Sequence, residues 1–280
     1  MFSRKTPGGK APEEILLMRQ AGLLVGRALE LVSQSARAGM TTLDLDEMAE
    51  DLIRTSGGVP SFQEVPGYRH TLCTSVNEEV VHGIPGPRVL RDGDLLSIDC
   101  GAIVSGWHGD AAVTLVVGGL GAGRREDLLL SDATEDAMWA GIAALKVGER
   151  LYDVGAAVEG SVVAAGERIG ADYGIVQDYV GHAIGRQMHL DPQIPNYRVA
   201  QKGPILRDGF TGAIEPMVTL GSPGTRVLAD DWTVVTTDGL RAAHWEHTAL
   251  VREEGLWVLT ALDGGQARLG ALGAPYAPMP

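Results

Sequence analysis

The chain has 280 residues, room for one large domain or two small ones, and 45% of them are hydrophobic, enough for a real core. Its 23 Lys and Arg against 36 Asp and Glu leave a net charge of −13, which argues against wholesale binding to nucleic acid or a membrane surface, apart from a local patch such as Arg4, Lys5 and Lys10. Two cysteines, Cys73 and Cys100, are too few for a disulfide framework or a four-cysteine zinc site and read as packed, reduced thiols.

Residues 1–11 lack periodicity and are expected to form a loose N-terminal segment. Met1 to Lys10 is polar, and the apolar run from Ile15 to Val25 is broken by Arg19 and Gln20, short of the roughly 20 residues a membrane span needs. The expected setting is the cytoplasm. Pro12, Glu13 and Glu14 make a good helix start, and apolar residues recur at helical spacing from Ile15 to Val32. A second helix follows Thr42, with Asp44 and Asp46 near its positive end, and stops at Gly57-Gly58. Strands dominate from Thr71 to Val117. After the breaker at Gly118-Gly119 and Gly121 to Arg125 the order repeats, with helices from about Glu126 to Lys146 and Leu151 to Ile169, then strands to Thr260. This predicts a single α+β domain over residues 12–263 with a pseudo-twofold axis, followed by a loosely held tail, 264–280.

The duplication is visible in a repeated pattern. Leu90-Arg91-Asp92-Gly93 runs on to Ile98-Asp99, and Leu206-Arg207-Asp208-Gly209 runs on to Ile214-Glu215 with the same spacing. Asp92 and Asp208 sit in Asp-Gly pairs and read as turn residues. Each copy ends on an acid inside an apolar strand, where an unpaired charge is costly. A second acid is matched in each half, Asp110 after the first copy and Glu246 after the second. Likewise His82 precedes the first copy and His189 the second.

Asp99 and Asp110 flank a tight hairpin and are expected nearly opposite one another, give or take a bulge. Such a pair implies a protonated acid, a cation between the two, or a different register. With Glu215 and Glu246 added, four acids cannot share one proton, and divalent metal is the economical answer. His182, in Gly181-His182-Ala183-Ile184-Gly185, would turn a hard oxygen site toward manganese, iron, cobalt or zinc. Taken singly, His182 reads as a satisfied surface or core histidine, and Glu215 and Asp110 fit a turn as well as they fit a site. Their joint place in the duplicated pattern is what favours a two-metal hydrolase.

Six ordered motifs then carry a resemblance. Asn77-Glu78-Glu79-Val80-Val81-His82-Gly83-Ile84-Pro85, Ser97-Ile98-Asp99, Gly109-Asp110, Gly181 to Arg186, Ile214-Glu215-Pro216-Met217 and Glu246-His247-Thr248 resemble the type I methionine aminopeptidases, from about Glu14 to Thr260. The resemblance implies the pita-bread fold, a dimetal site, and hydrolytic removal of the initiator methionine from nascent chains when the second residue is small. It makes Asp99 a ligand of one ion, His182 and Glu215 ligands of the other, and Asp110 and Glu246 bridges, the ions being cobalt, manganese, iron or zinc. A hydroxide on the ions would attack the scissile carbonyl, and Glu215 would take up its proton. His189 would bind the substrate and stabilise the tetrahedral intermediate, and His82 would face the scissile amide. Tyr68, Cys73 and Trp232 match the methionine pocket, whereas Val65 stands where a tyrosine is common, Met188 replaces a usual aromatic, and Gln187 stands at a frequent glycine. Oligomeric state is not legible and a monomer is the plain expectation, transient contact with the ribosome follows from the implied function alone, and no dedicated nucleic-acid or membrane partner is expected. The rival readings are a prolidase or aminopeptidase P on the same fold, which usually adds an N-terminal domain, and a non-catalytic relative, which typically loses ligands.

Overall fold

The structure is a computed structural model that describes residues 9–279. Arg4 and Lys5 of the basic patch, and most of the N-terminal segment, lie outside the described residues. Lys10 lies inside them. It is held in place, its backbone N–H donating to the Gly209 carbonyl at 3.0 Å, and desolvation lowers its ammonium pKa to about 8.

Helix α1 spans Pro12–Ser35, with proline in its first turn and the Glu14 carboxylate accepting from the Ala11 N–H. Helix α2, Thr42–Thr55, opens on a capping box: Thr41 Oγ1 accepts from the Asp44 N–H and Asp44 Oδ2 accepts from the Thr41 N–H. Strands β1 (Val59–Pro60), β2 (Leu72–Val76), β3 (Glu79–Val81), β4 (Leu95–Val104) and β5 (Trp107–Val116) complete the first half. The second half repeats the order. Helices α3 (Arg125–Ala143) and α4 (Asp153–Ile169) precede β6 (Gly174–Ile175), β7 (Gly181–Ala183), β8 (Leu190–Ile194), β9 (Phe210–Ile214), β10 (Met217–Thr219), β11 (Thr225–Val227), β12 (Val234–Thr236), β13 (Ala242–His244), β14 (Glu246–Arg252) and β15 (Gly255–Val258).

The main sheet runs β1-β4-β5-β14-β9-β7-β8, with β2 on β4 and β15 on β14. Its centre is the β5–β14 pair, where the two halves meet antiparallel. The repeated segments make matching hydrogen bonds. The Gly93 N–H donates to the Val117 carbonyl and the Gly209 N–H to the Val251 carbonyl, both at 2.9 Å. Leu90 exchanges bonds with Gly39 and Met40 in the loop between α1 and α2, as Leu206 does with Gly148 and Glu149 between α3 and α4. Gly93 and Gly209 both have positive φ, 86° and 79°, which a turn of this shape needs. The repeat in the sequence is thus a repeat in space.

Helices cover one face of the sheet in each half. The apolar stripe of α1, from Ile15 to Val32, packs on β4 and β5, and α3 and α4 pack with Phe210, Ile214 and Val251. Gly109 permits the close approach of α1, because a Cβ there would lie 2.7 Å from the Gly22 nitrogen. The other face carries the site.

The tail departs from the expectation of loose attachment. Gly264 and Gly265, with φ of 71° and 85°, turn the chain into α5, Gln266–Ala271, whose Leu269 is fully buried. Beyond it Tyr276 pairs with Leu256 beside β15: the Leu256 N–H donates to the Pro275 carbonyl and the Ala277 N–H to the Leu256 carbonyl, both at 2.9 Å. The Gly, Ala and Pro content hid this, because docking is driven by an unfilled sheet edge rather than by local propensity. No described helix is long and apolar enough to cross a membrane.

Candidate metal centre and active site

Asp99 lies in β4 and Asp110 in β5, but they are not opposite one another. Asp99 pairs with Ala112, and Asp110 with Gly101. The two-residue turn Ser105-Gly106 sets this register without a bulge, leaving the acids as diagonal neighbours on one face of the sheet. Glu246, the first residue of β14, pairs with Ala112 from the other side. A row across the sheet therefore reads Asp99, Ala112, Glu246, and the small central residue leaves open space between acids from opposite halves.

His182 arrives on β7, opposite Ala213 of β9. Its Nδ1 lies 3.1 Å from the Ala183 carbonyl, which suits an N–H at that nitrogen and leaves Nε2 a lone pair turned to the acids. Nε2 stands 3.3 Å from Glu215 Oε1 and 4.0 Å from Asp110 Oδ2. Glu215 follows β9 directly, and its carbonyl accepts from the buried Asn196 amide at 3.0 Å. Asp110, His182 and Glu246 place one ligand atom each within 4.8 Å of one another. Glu215 adjoins this group through His182, and Asp99 shares the same cavity.

The electrostatics call for protons or a cation on the acids. Asp110 and Glu246 are 3% and 2% exposed, and Asp99 Oδ1, Asp110 Oδ1 and Glu246 Oε1 are buried without hydrogen-bond partners among the described residues. Burial, the largest cause, pushes Asp99 up to about 7. Burial followed by the neighbouring acids raises Asp110, Glu215 and Glu246 well above the usual range. No lysine or arginine among the described residues lines the cavity. Its imidazoles are neutral, burial lowering His182 to about 3 and His82 to about 4. Four desolvated carboxyls beside a neutral imidazole match the donor set of a borderline divalent ion.

The cavity has a volume of about 290 Å³. One end is apolar: Phe62, Tyr68, Cys73 and Met188 are buried together, with Val65, Ile84 and Trp232 packed on them. Tyr68 is fixed by its hydroxyl, which donates to the Leu72 carbonyl at 2.7 Å, and its ring meets Trp232 at 5.0 Å. His189 stands against His182, ring centroids 4.5 Å apart, and His82 meets the edge of Tyr179 at 5.4 Å. Every candidate residue of the sequence reading, Tyr68, Cys73, His82, Asp99, Asp110, His182, Met188, His189, Glu215, Trp232 and Glu246, lines this one cavity. Gln187 lies in an exposed turn, its carbonyl accepting from the Gly185 N–H. The sequence reading missed Phe62 and His244, which also line the cavity. His244 is two residues from Glu246 on strand-like backbone and so shares its face, the one available signal.

A metallopeptidase family M24 model matches residues 16–253. The chain belongs to this family. Among its relatives, methionine aminopeptidase 1 of Mycobacterium tuberculosis is 50% identical over 258 residues, spanning 92% of this chain and 96% of that one. Methionine aminopeptidase 1 of Bacillus subtilis is 44% identical over 251 residues, spanning 90% and 98%. The solved methionine aminopeptidase of Thermotoga maritima superposes with a TM-score of 0.84 at 39% identity, covering 93% of this chain and all of that one. A prolidase from Pyrococcus horikoshii shares the fold at a TM-score of 0.70 and 18% identity, but this chain covers only 62% of it. This M24 chain has the family's pita-bread architecture, and its unpartnered acids are where a metallopeptidase would hold its ions.

Proposed function

We propose that this M24 enzyme removes N-terminal methionine from peptides and proteins whose second residue is small, using two divalent ions. The observation that carries this reading is the junction, in one cavity, of four carboxyls, two of them buried and two half-buried, and a neutral imidazole with the apolar pocket of Phe62, Tyr68, Met188 and Trp232. Asp99, Asp110, His182, Glu215 and Glu246 would hold the ions, which are of the cobalt, manganese, iron or zinc class. When bound they supply Lewis acidity and make water a nucleophile near neutral pH.

The chain's own residues do the rest. The apolar pocket takes the methionine side chain, with the flexible thioether against aromatic rings and Met188. The free N-terminus is drawn to the acids at the cavity floor. Glu215 would take the proton of the attacking water at its carboxylate. His189 supports the carbonyl oxygen as charge develops there, and His82 faces the scissile amide. Substrates are nascent chains met at the ribosome by a monomeric enzyme.

A peptide panel varying the first two residues, run with and without Mn²⁺, tests the reading. Rapid release from Met-Ala-Ser peptides and slow release from Met-Leu-Ser peptides are expected. Cleavage before proline with no preference for methionine would instead mark a prolidase-like enzyme.

A further inference from the structure

His244 is 2% exposed, and its Nε2 is buried without a hydrogen-bond partner among the described residues. An unpaired buried nitrogen is costly to keep, so its presence in the wall of a working cavity calls for a partner that comes and goes. The backbone of His244 is firmly tied to the first half of the chain. Its N–H is 3.0 Å from Thr114 Oγ1, and its carbonyl accepts from the same hydroxyl at 2.7 Å. At the other end of β13 the Ala242 N–H donates to the Asn77 carbonyl at 3.0 Å. Strand β13 thus runs beside the segment that leads through β3 to His82, and both imidazoles line the same cavity. Their surroundings are the cluster of Val80, Val81, Met217 and Ala242, separate from the apolar pocket of Phe62 and Tyr68.

His82 is held in an unusual way. Its φ is 59°, in the left-handed region that non-glycine residues seldom occupy and that collects at functional positions. Tyr179 meets its ring edge-on, at an interplanar angle of 88°. That contact restrains the ring plane but supplies no partner for a ring nitrogen. A neutral imidazole offers one donor and one acceptor, so two imidazoles can pair.

We propose that His244 is a positioning residue: its Nε2 engages the His82 ring when a peptide is bound and holds that ring toward the scissile amide. The inference rests on the proposed function, since it gives His82 a task. It is the face shared with Glu246, together with the unpartnered Nε2, that distinguishes His244 from an ordinary packed histidine.

The test is a double-mutant cycle on the Mn²⁺-loaded enzyme with a Met-Ala-Ser peptide. His244→Leu is expected to lower kcat about tenfold or more while KM moves less than about twofold and bound Mn²⁺ is unchanged. His244→Gln, which keeps a donor and an acceptor, is expected to stay within about threefold of the parent enzyme and serves where the leucine variant folds poorly. Because His244 acts through His82, the double variant His82→Ala, His244→Leu is expected to be no slower than His82→Ala alone. Multiplicative losses in the double variant would overturn the proposal. So would a glutamine variant as slow as the leucine variant, loss of Mn²⁺ on substitution, or a leucine variant with normal kcat. A parent enzyme that is loaded with Mn²⁺ yet releases no methionine from any peptide defeats the proposed function itself and takes this inference with it.

Discussion

Asp99 and Glu246 flank Ala112 in one row of the central sheet, Asp99 from the first half of the chain and Glu246 from the second. Neither acid has a basic partner among the described residues, and Asp99 helps to raise the pKa of Asp110, Glu215 and Glu246. Positive charge entering between them would relieve acids contributed by both halves, which makes metal loading, stability and activity one linked property.

Chelation should abolish methionine release and lower the melting temperature together. An ion at 100 times its Kd adds about 2.7 kcal/mol of stability, and a shift of roughly 5–10 °C is expected on adding back Mn²⁺ to a domain of this size. Calorimetry with and without chelator measures it. Full activity in a preparation shown to be metal-free would end the dimetal reading.

The metal-free protein should be less stable at pH 8 than near pH 6.5. Burial lowers His82 and His247 to about 4 and His182 and His244 to about 3, so the stability they allow is lost as pH falls below their unfolded value near 6.5. The acids act in the opposite sense: burial raises Asp99 to about 7 and lifts Asp110 and Glu246 well above the usual carboxylate range, so the folded state holds extra protons and loses stability as pH climbs from the unfolded value near 4 through the folded ones. Saturating Mn²⁺ should remove the alkaline loss. Melting curves between pH 5 and 8 decide this, and a metal-free protein equally stable at pH 6.5 and 8 contradicts it.

His182→Ala should lose metal and activity together, with kcat/KM down by at least about a hundredfold, because its Nε2 is the one imidazole nitrogen set 3.3 Å from Glu215. Elemental analysis beside the peptide assay checks both. Normal turnover with both ions retained would show that another histidine serves.

The apolar pocket should control KM. Met188→Ala removes buried side chain beside Tyr68 and Trp232 and is expected to raise KM for a Met-Ala-Ser peptide about tenfold, the scale of one to three kcal/mol of apolar contact. Val65→Tyr, restoring the common aromatic, should sharpen the preference for methionine over leucine at the first position. Unchanged selectivity in both variants would place the pocket elsewhere.

Removing residues 264–280 should lower the melting temperature by several degrees, since it strips α5, buried Leu269 and the strand partner of Leu256. Metal content should survive, because no cavity residue lies in the tail. A truncated protein as stable as the full chain would show the docking to be incidental.

Much of the site was legible because an acid in an apolar strand is anomalous and the anomaly occurred twice. Asp99, Asp110, Glu215 and Glu246 announced themselves in this way. The offset between Asp99 and Asp110 was also available in principle, since a two-residue turn at Ser105-Gly106 pairs Val104 with Trp107 and counts back to Ala112 opposite Asp99. Phe62 and His244 were not found. Phe62 sits in a single 3₁₀ turn with no periodicity, and His244 lies between Ala243 and Trp245 in a three-residue strand. Short elements carry little pattern, and their places are set by what packs on them.

The sequence by itself determined the order helix, helix, strands taken twice, the turns at Gly93 and Gly209, and which strand positions carry acids. These are local consequences of capping, turn chemistry and apolar spacing. Tertiary structure alone decided that β5 and β14 meet, that Ala112 separates Asp99 from Glu246, that His182 faces Glu215, and that the tail fills the edge of β15. Those relations depend on register and burial between segments far apart in the chain, where no short-range preference reaches and the balance of desolvation and packing chooses.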